Sequence, residues 1–264
     1  MNVAVTGMGA WGPGFSTIDE LRALLEGAAL PEDATTARPA PASIPPRERR
    51  RAPLSVKLAV AVAEQACEAA GVAPAEPVSV FASGMGDMDI TDYMCRTLAS
   101  DTPLISPTRF HNSVHNAPVG YWSISQGARR SSNAVAGFRH TVPASLLEAV
   151  TQCVTEGETV LWASQDIASP APFRDIADIP EACAFALVLE PSASQAPSLT
   201  FEVATGSGAW PPLESAPLAS LYAHNPTARV LPLVALLVAP LAGTGAGRIT
   251  LPLNDHLDLV VERS

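Results

Sequence analysis

Residues 106–149 read SPTRFHNSVHNAPVGYWSISQGARRSSNAVAGFRHTVPASLLEA and bring together two His-Asn pairs, a Tyr-Trp pair, several arginines and the start of a helix. His111 and His115 stand four apart, a spacing that on a helix would set both imidazoles on one face as metal ligands. Asn112, Ser113 and Val114 lie between them, with no glutamate base and no third ligand nearby. Polar loop residues bonded to backbone are therefore the preferred reading, and neither a metal nor any other cofactor is expected. Ser83 lies outside any GxSxG context, and Ser145 belongs to no legible Ser-His-acid order, so neither reads as a hydrolase nucleophile. Gly7, Gly9 and Gly12 spell GxGxxG, but Pro13 and Gly14 follow at once, where a dinucleotide fold would already be winding its crossover helix. The acidic residue such a fold carries some 20 positions later is also missing, so no nucleotide site is expected.

These groups belong to a chain of 264 residues that is 47% hydrophobic and only 16% charged. A packed globular protein follows, with enough apolar surface to favour association with a partner. The formal net charge of -10 argues against nucleic acid, whose phosphates require a basic face. Cys67, Cys95, Cys153 and Cys183 form no CxxC pair, so neither a zinc ribbon nor a disulfide scaffold is indicated, and they suit reduced cytosolic thiols. The N-terminus has no basic region ahead of its apolar stretch, so no secretory signal is read and a cytoplasmic location is expected. The uncharged run 230–246 is shorter than the roughly 20 residues a span needs and contains Pro232 and Pro240, so no membrane span is expected.

The elements that must position the polar segment follow from periodicity and breakers. A strand is predicted over 2–6, then a helix capped by Ser16 or Thr17. A Pro/Ala-rich loop ends in four arginines, Arg47, Arg49, Arg50 and Arg51, a solvated tip or a docking patch for an acidic partner. A helix over 54–70 closes at Gly71, and a buried strand over 78–82 leads into a Gly-punctuated turn. A short helix is predicted over 118–126, a short strand over 132–135 and an apolar helix over 141–156. Residues 159–163 and 182–189 read as central strands buried on both faces, and 199–205, 249–253 and 257–262 as further strands. An apolar helix over 228–239 is expected to be interrupted by Pro232. The order is that of an α/β layer, helices covering a mixed sheet.

The opening VAVTGMGAWGPG with DELRALLEG, the 78–86 strand and turn, the SPTRFHNSVHNAPVGYWSI segment, the LLEA helix and AFALVLEP together resemble β-ketoacyl synthases. The resemblance implies a thiolase-like fold, specifically its N-terminal half over 1–191, followed by a short divergent segment over 192–264 packed on the same domain. FHNSVHNAPVGYW is similar to short synthase-like proteins that act as chain-length-factor-like partners of type II synthases making aryl polyene or xanthomonadin-type pigments.

A working synthase of this family presents a nucleophilic cysteine at the start of the helix that matches 139–156, where the helix N-terminus lowers the thiol pKa. Alignment through LLEA puts Arg139 at that position, with Phe138 or His140 as the neighbours if the register slips, and none is a thiol. Cys153 lies about four helical turns further on and reads as core. The family's histidine motifs have no counterpart after residue 190, and GTGAG at 243–247 carries no histidine. The implied function is a catalytically inactive subunit that forms a heterodimer with an active ketosynthase and shapes its acyl tunnel. Phe110, His111, Asn116, Tyr121 and Trp122 are the implied interface or tunnel residues, with burial in the chain's own core the competing reading for the aromatics, Trp122 above all. Arg47, Arg49, Arg50 and Arg51 are implied in docking an acyl carrier protein, most of whose attraction would come from the partner. The alternatives are an acyl-thioester-processing enzyme with a substitute nucleophile near Ser145, and a homodimeric acyl-binding scaffold.

Overall fold

The computed structural model describes residues 1–30, 36–191, 196–239 and 247–263. The first strand, β1 (Asn2–Trp11), runs well past the expected end at Thr6, so Gly7 and Gly9 lie inside a strand. Helix α1 (Ile18–Leu25) follows, capped by the Thr17 hydroxyl, which accepts from the Glu20 amide, while Glu20 reaches back to the Ser16 amide at 2.6 Å. After the short α2 (Pro46–Arg49) comes α3 (Leu54–Ala70), closed by Gly71 at φ +68°. Helix α3 lies so close on β1 that a Cβ on Gly7 would overlap the Ala66 carbonyl oxygen, and one on Gly9 the Val62 carbonyl oxygen. The glycine pattern thus serves helix-on-strand packing, not a phosphate turn. Gly7→Ala is expected to lower stability by about 1 to 3 kcal/mol through overpacking, read as a shift in the urea midpoint at unchanged slope.

Strand β2 (Val78–Ala82) leads to α4 (Met88–Leu98), which periodicity does not predict because only Met88 and Ile90 of its residues are buried. Its start is set by Asp87, whose carboxylate accepts from the Ile90 amide. Two short helices, α5 (Pro107–His111) and α6 (Ala117–Gln126), lead to β3 (Ser132–Val135), a 3₁₀ turn over Phe138–His140, and α7 (Thr141–Glu156). Strands β4 (Val160–Asp166) and β5 (Cys183–Glu190) are buried almost throughout, as fits strands covered on both faces.

Beyond them come β6 (Ser198–Thr205), α8 (Ala219–His224), a 3₁₀ turn over Thr227–Val230, α9 (Leu231–Val238), β7 (Gly247–Pro252) and β8 (Leu257–Arg263). Pro232 sits in the first turn of α9, where its missing N–H costs nothing, so it starts the helix instead of interrupting it. The expected apolar run 230–246 is therefore a buried eight-residue helix as far as it is described, and its residues 240–246, with most of GTGAG, lie outside the described residues. Among the described residues no helix is long and apolar enough to cross a membrane.

The eight strands form one mixed sheet in the order β3-β2-β4-β5-β1-β6-β8-β7. Strand β2 pairs in parallel with β3 and β4, and the remaining pairs are antiparallel. Helices α3 and α6 bury one face with Phe81, Trp122 and Leu161. Helices α1, α7, α8 and α9 bury the other with Trp162, Phe185 and Phe201. The sheet leaves β3 as one edge, and the start of α7 opens beside it.

Candidate functional site

Three chain segments converge at one corner of the sheet: the turn after β2, the 3₁₀ turn before α7 and the turn after α8. Their junction is Asp166 at the end of β4, fully buried. Its Oδ1 accepts from the Ser83 hydroxyl at 2.8 Å and the Met85 amide at 3.0 Å, and its Oδ2 from the Gly84 amide at 3.2 Å and the Thr227 hydroxyl at 2.9 Å. Burial pushes its pKa up, and the Ser83, Gly84, Met85 and Thr227 donors oppose that rise. Asn225 adds a bond from its Nδ2 to the Asp166 carbonyl at 3.2 Å. A Cβ on Gly84 would stand 2.8 Å from the Phe138 carbonyl oxygen and 2.9 Å from Pro226 Cβ, so glycine lets the three segments touch. Nothing in the sequence pattern singles out Asp166, whose partners lie more than 60 positions away.

Phe138 has φ +51°, and among the described residues it is the one non-glycine in the left-handed region. The turn is strained there, and the side chain it carries is a half-exposed phenyl. Arg139 follows, exposed, its guanidinium 5.7 Å from the Phe138 ring. His140 is tied down: its Nδ1 donates to the Pro252 carbonyl at 2.8 Å and its ring stacks on Trp210 at 5.9 Å. None of the three positions offers a thiol, and the cysteines lie elsewhere in the fold. Burial pushes the thiol pKa up to about 12 for Cys67 and to about 11 for Cys153, and well above its usual value for Cys183, the reverse of what an attacking thiolate needs. Ser145 is wholly buried, its hydroxyl donating to the Val142 carbonyl and accepting from the Trp162 indole at 2.8 Å. The substitute-nucleophile reading fails at that residue because no substrate can reach it.

The remaining sequence-derived positions separate into three sets. His111, Asn116 and Tyr121 come together along a groove of about 420 Å³ with Ile44, Val114 and Ile124. Phe110 stands exposed on α5, outside that groove. Trp122 is a correction: on α6 it points to the opposite side from Ile124 and is wholly buried, 6.1 Å from the Phe81 ring, so it fills the chain's own core. His111 closes α5 whereas His115 lies beyond it, so the two do not share a helical face, and His115 Nε2 instead donates to the Ser83 carbonyl at 3.1 Å. The arginines form α2 and the turn after it. Arg47, Arg50 and Arg51 are exposed, whereas Arg49 donates to the Pro41 carbonyl at 2.8 Å. Pro45 and Glu48 of this same segment border the groove, so the basic patch lies at its rim.

Residues 26–225 match the family model described as β-ketoacyl synthase, N-terminal domain. The chain belongs to this family. No curated protein matches it. Among solved structures it is similar to a chain of the complex of the ketosynthase ApeO with its chain length factor ApeC from Xenorhabdus doucetiae, at 22% identity, with all of both chains covered and a TM-score of 0.72. It is also similar to a chain of the AntDE:AntF complex, a type II polyketide synthase acyl carrier protein with its ketosynthase, at 14% identity, covering 100% of this chain and 99% of that one with a TM-score of 0.74. The ishigamide ketosynthase/chain length factor follows at 15% identity, 100% and 99% coverage and a TM-score of 0.67. At these identities the likeness establishes the fold, which is the thiolase-like ketosynthase fold expected from the sequence. Arg139, the residue that the sequence alignment sets against the synthase nucleophile, lies in the 3₁₀ turn two residues ahead of α7.

Proposed function

We propose that this chain is a non-catalytic subunit that pairs with an active ketosynthase in the cytoplasm and shapes the acyl tunnel, and so the product length, of a polyketide- or polyene-type pathway. The observation that carries the reading is the start of α7: a strained turn at Phe138 followed by Arg139, with every buried cysteine held protonated elsewhere. The similarity to ketosynthase and chain length factor complexes supports the pairing. We assign the edge of β3 and the α5–α6 face as the surface that meets the partner. That face exposes Phe110, Val114 and Ile124 next to a strand edge that is unpaired among the described residues, and α6 packs directly on β3. His111, Asn116 and Tyr121 are then tunnel-bordering residues, and Arg47, Arg50 and Arg51 at the groove rim add to carrier-protein docking. Residues 1–191 act as the synthase half and 192–264 as its divergent cover.

The test is co-expression with a ketosynthase encoded beside it. A 1:1 complex that condenses acyl and malonyl thioesters, while this chain alone neither condenses nor hydrolyses them, is the expected result. A soluble homodimer with its own thioester turnover would sink the reading.

A further inference from the structure

The cavity at the strained turn has a chemistry of its own. It encloses about 170 Å³ and is bordered by Phe138, Arg139, Asp178, His224, Pro226 and Arg229. Two guanidiniums and an imidazole thus face a single carboxylate, in a chain whose net charge is -10. Among the described residues, Arg229 is held in place without an acidic partner. Its guanidinium lies 4.8 Å from the Trp210 ring and 4.7 Å from the Tyr222 ring, and one nitrogen donates to the Ala223 carbonyl at 2.9 Å. The stack continues through Trp210 to His140, and Tyr222 is pinned by its own hydroxyl bond to the Pro211 carbonyl at 2.6 Å. A guanidinium stacked on two aromatic faces is pre-organised and loses little entropy on engaging a ligand. Among the described residues, no ion pair engages Arg139 or Arg229. The sixteen-residue helix α7 begins beside Arg139 and adds the positive end of its dipole.

We propose that this cavity binds a small oxyanion, a phosphate monoester or a short carboxylate, at the place where the active synthases of the family present their nucleophile. Arg139 and Arg229 supply charge-assisted hydrogen bonds, and the space is that of roughly six water molecules at about 30 Å³ each, enough for one oxyanion with a few atoms of its ester. The inference does not depend on pairing with a ketosynthase, since each residue it uses belongs to this chain.

The experiment is isothermal titration of the full chain at low ionic strength, purified with its synthase partner if it requires one, with inorganic phosphate and with malonate as separate probes and chloride as the control. Saturable binding of either probe is expected, weakened about 10-fold or more by Arg139→Gln and by Arg229→Gln, as the loss of one charge-assisted bond implies. Preference for phosphate over malonate would name a phosphate ester as the natural ligand, and the opposite order a carboxylate. Absence of saturable binding for both probes overturns the proposal, as does binding unchanged in both variants. Arg139 is exposed, so its variant keeps the test decisive even if Arg229→Gln impairs folding.

Discussion

Asp166→Ala is expected to lower the unfolding free energy by roughly 3 to 5 kcal/mol, the scale of breaking one side of a buried charge network. The carboxylate satisfies the Ser83 and Thr227 hydroxyls and the Gly84 and Met85 amides. Alanine strands the Ser83 hydroxyl and the Gly84 and Met85 amides, leaves the Thr227 hydroxyl only its bond to Ser164, opens a cavity besides, and loosens the join between the turn after β2 and the turn after α8. The loss should appear as a fall in Tm on the order of 10 °C for a domain of this size. A shift of a degree or less would mean that the network contributes nothing net. Asp166→Asn tests the charge separately. Because burial raises the folded-state pKa above its unfolded value near 3.9, the folded state takes up a proton more readily. That contribution to stability is fully present below the unfolded pKa and is lost as pH rises through the folded pKa. The wild-type Tm should therefore carry a downward component with rising pH above about 4 that Asp166→Asn lacks. Identical pH profiles for the two proteins would refute the assignment of that component to Asp166.

Under the proposed pairing, Ile124→Asp is expected to abolish co-purification with the co-expressed ketosynthase while leaving the chain folded. Ile124 is 84% exposed on α6, on the side away from the buried Trp122, so its loss opens no cavity. Surface changes of this kind alter stability by about 0.5 kcal/mol or less. At a desolvated interface centre, however, a carboxylate in place of an apolar anchor costs 2 kcal/mol or more, and at about 2.7 kcal/mol the affinity falls 100-fold. Val203→Asp provides the control: Val203 is 43% exposed on β6, five strands away from β3 in the sheet. Loss of the complex in both variants would point to misfolding, and its retention in Ile124→Asp would remove the α6 face from the interface.

The outcome at particular residues shows which physical signals are local. Helix α3 ends at Gly71 and α7 spans Thr141–Glu156 as their patterns predict, because a left-handed glycine and an apolar 3.6-residue period are written within a few neighbours. Helix α4 escapes prediction since two buried residues make no legible stripe, and its capping Asp87 is a signal that gains meaning only once a helix is suspected. Gly7 and Gly9 imitate a nucleotide fingerprint because close backbone approach selects glycine whether the approaching atom belongs to a phosphate or to a helix. Tyr121 and Trp122 are adjacent, and nothing in their types says that one borders a groove while the other enters the core.

By itself, then, the sequence determined the order of most elements, the family frame and the absence of a thiol at residues 138–140, since each of these is carried by local pattern or by residue identity alone. The tertiary structure alone decided that β1 continues under α3, that Trp122 is core, that Ser145 is sealed and that His111, Asn116 and Tyr121 share a groove. It likewise decided that Asp166, Phe138 and Arg229 meet around one corner of the sheet. The physical reason is separation along the chain: Asp166 bonds residues 83 positions before it and 61 after it, and contacts of that span leave no periodicity for a sequence to display.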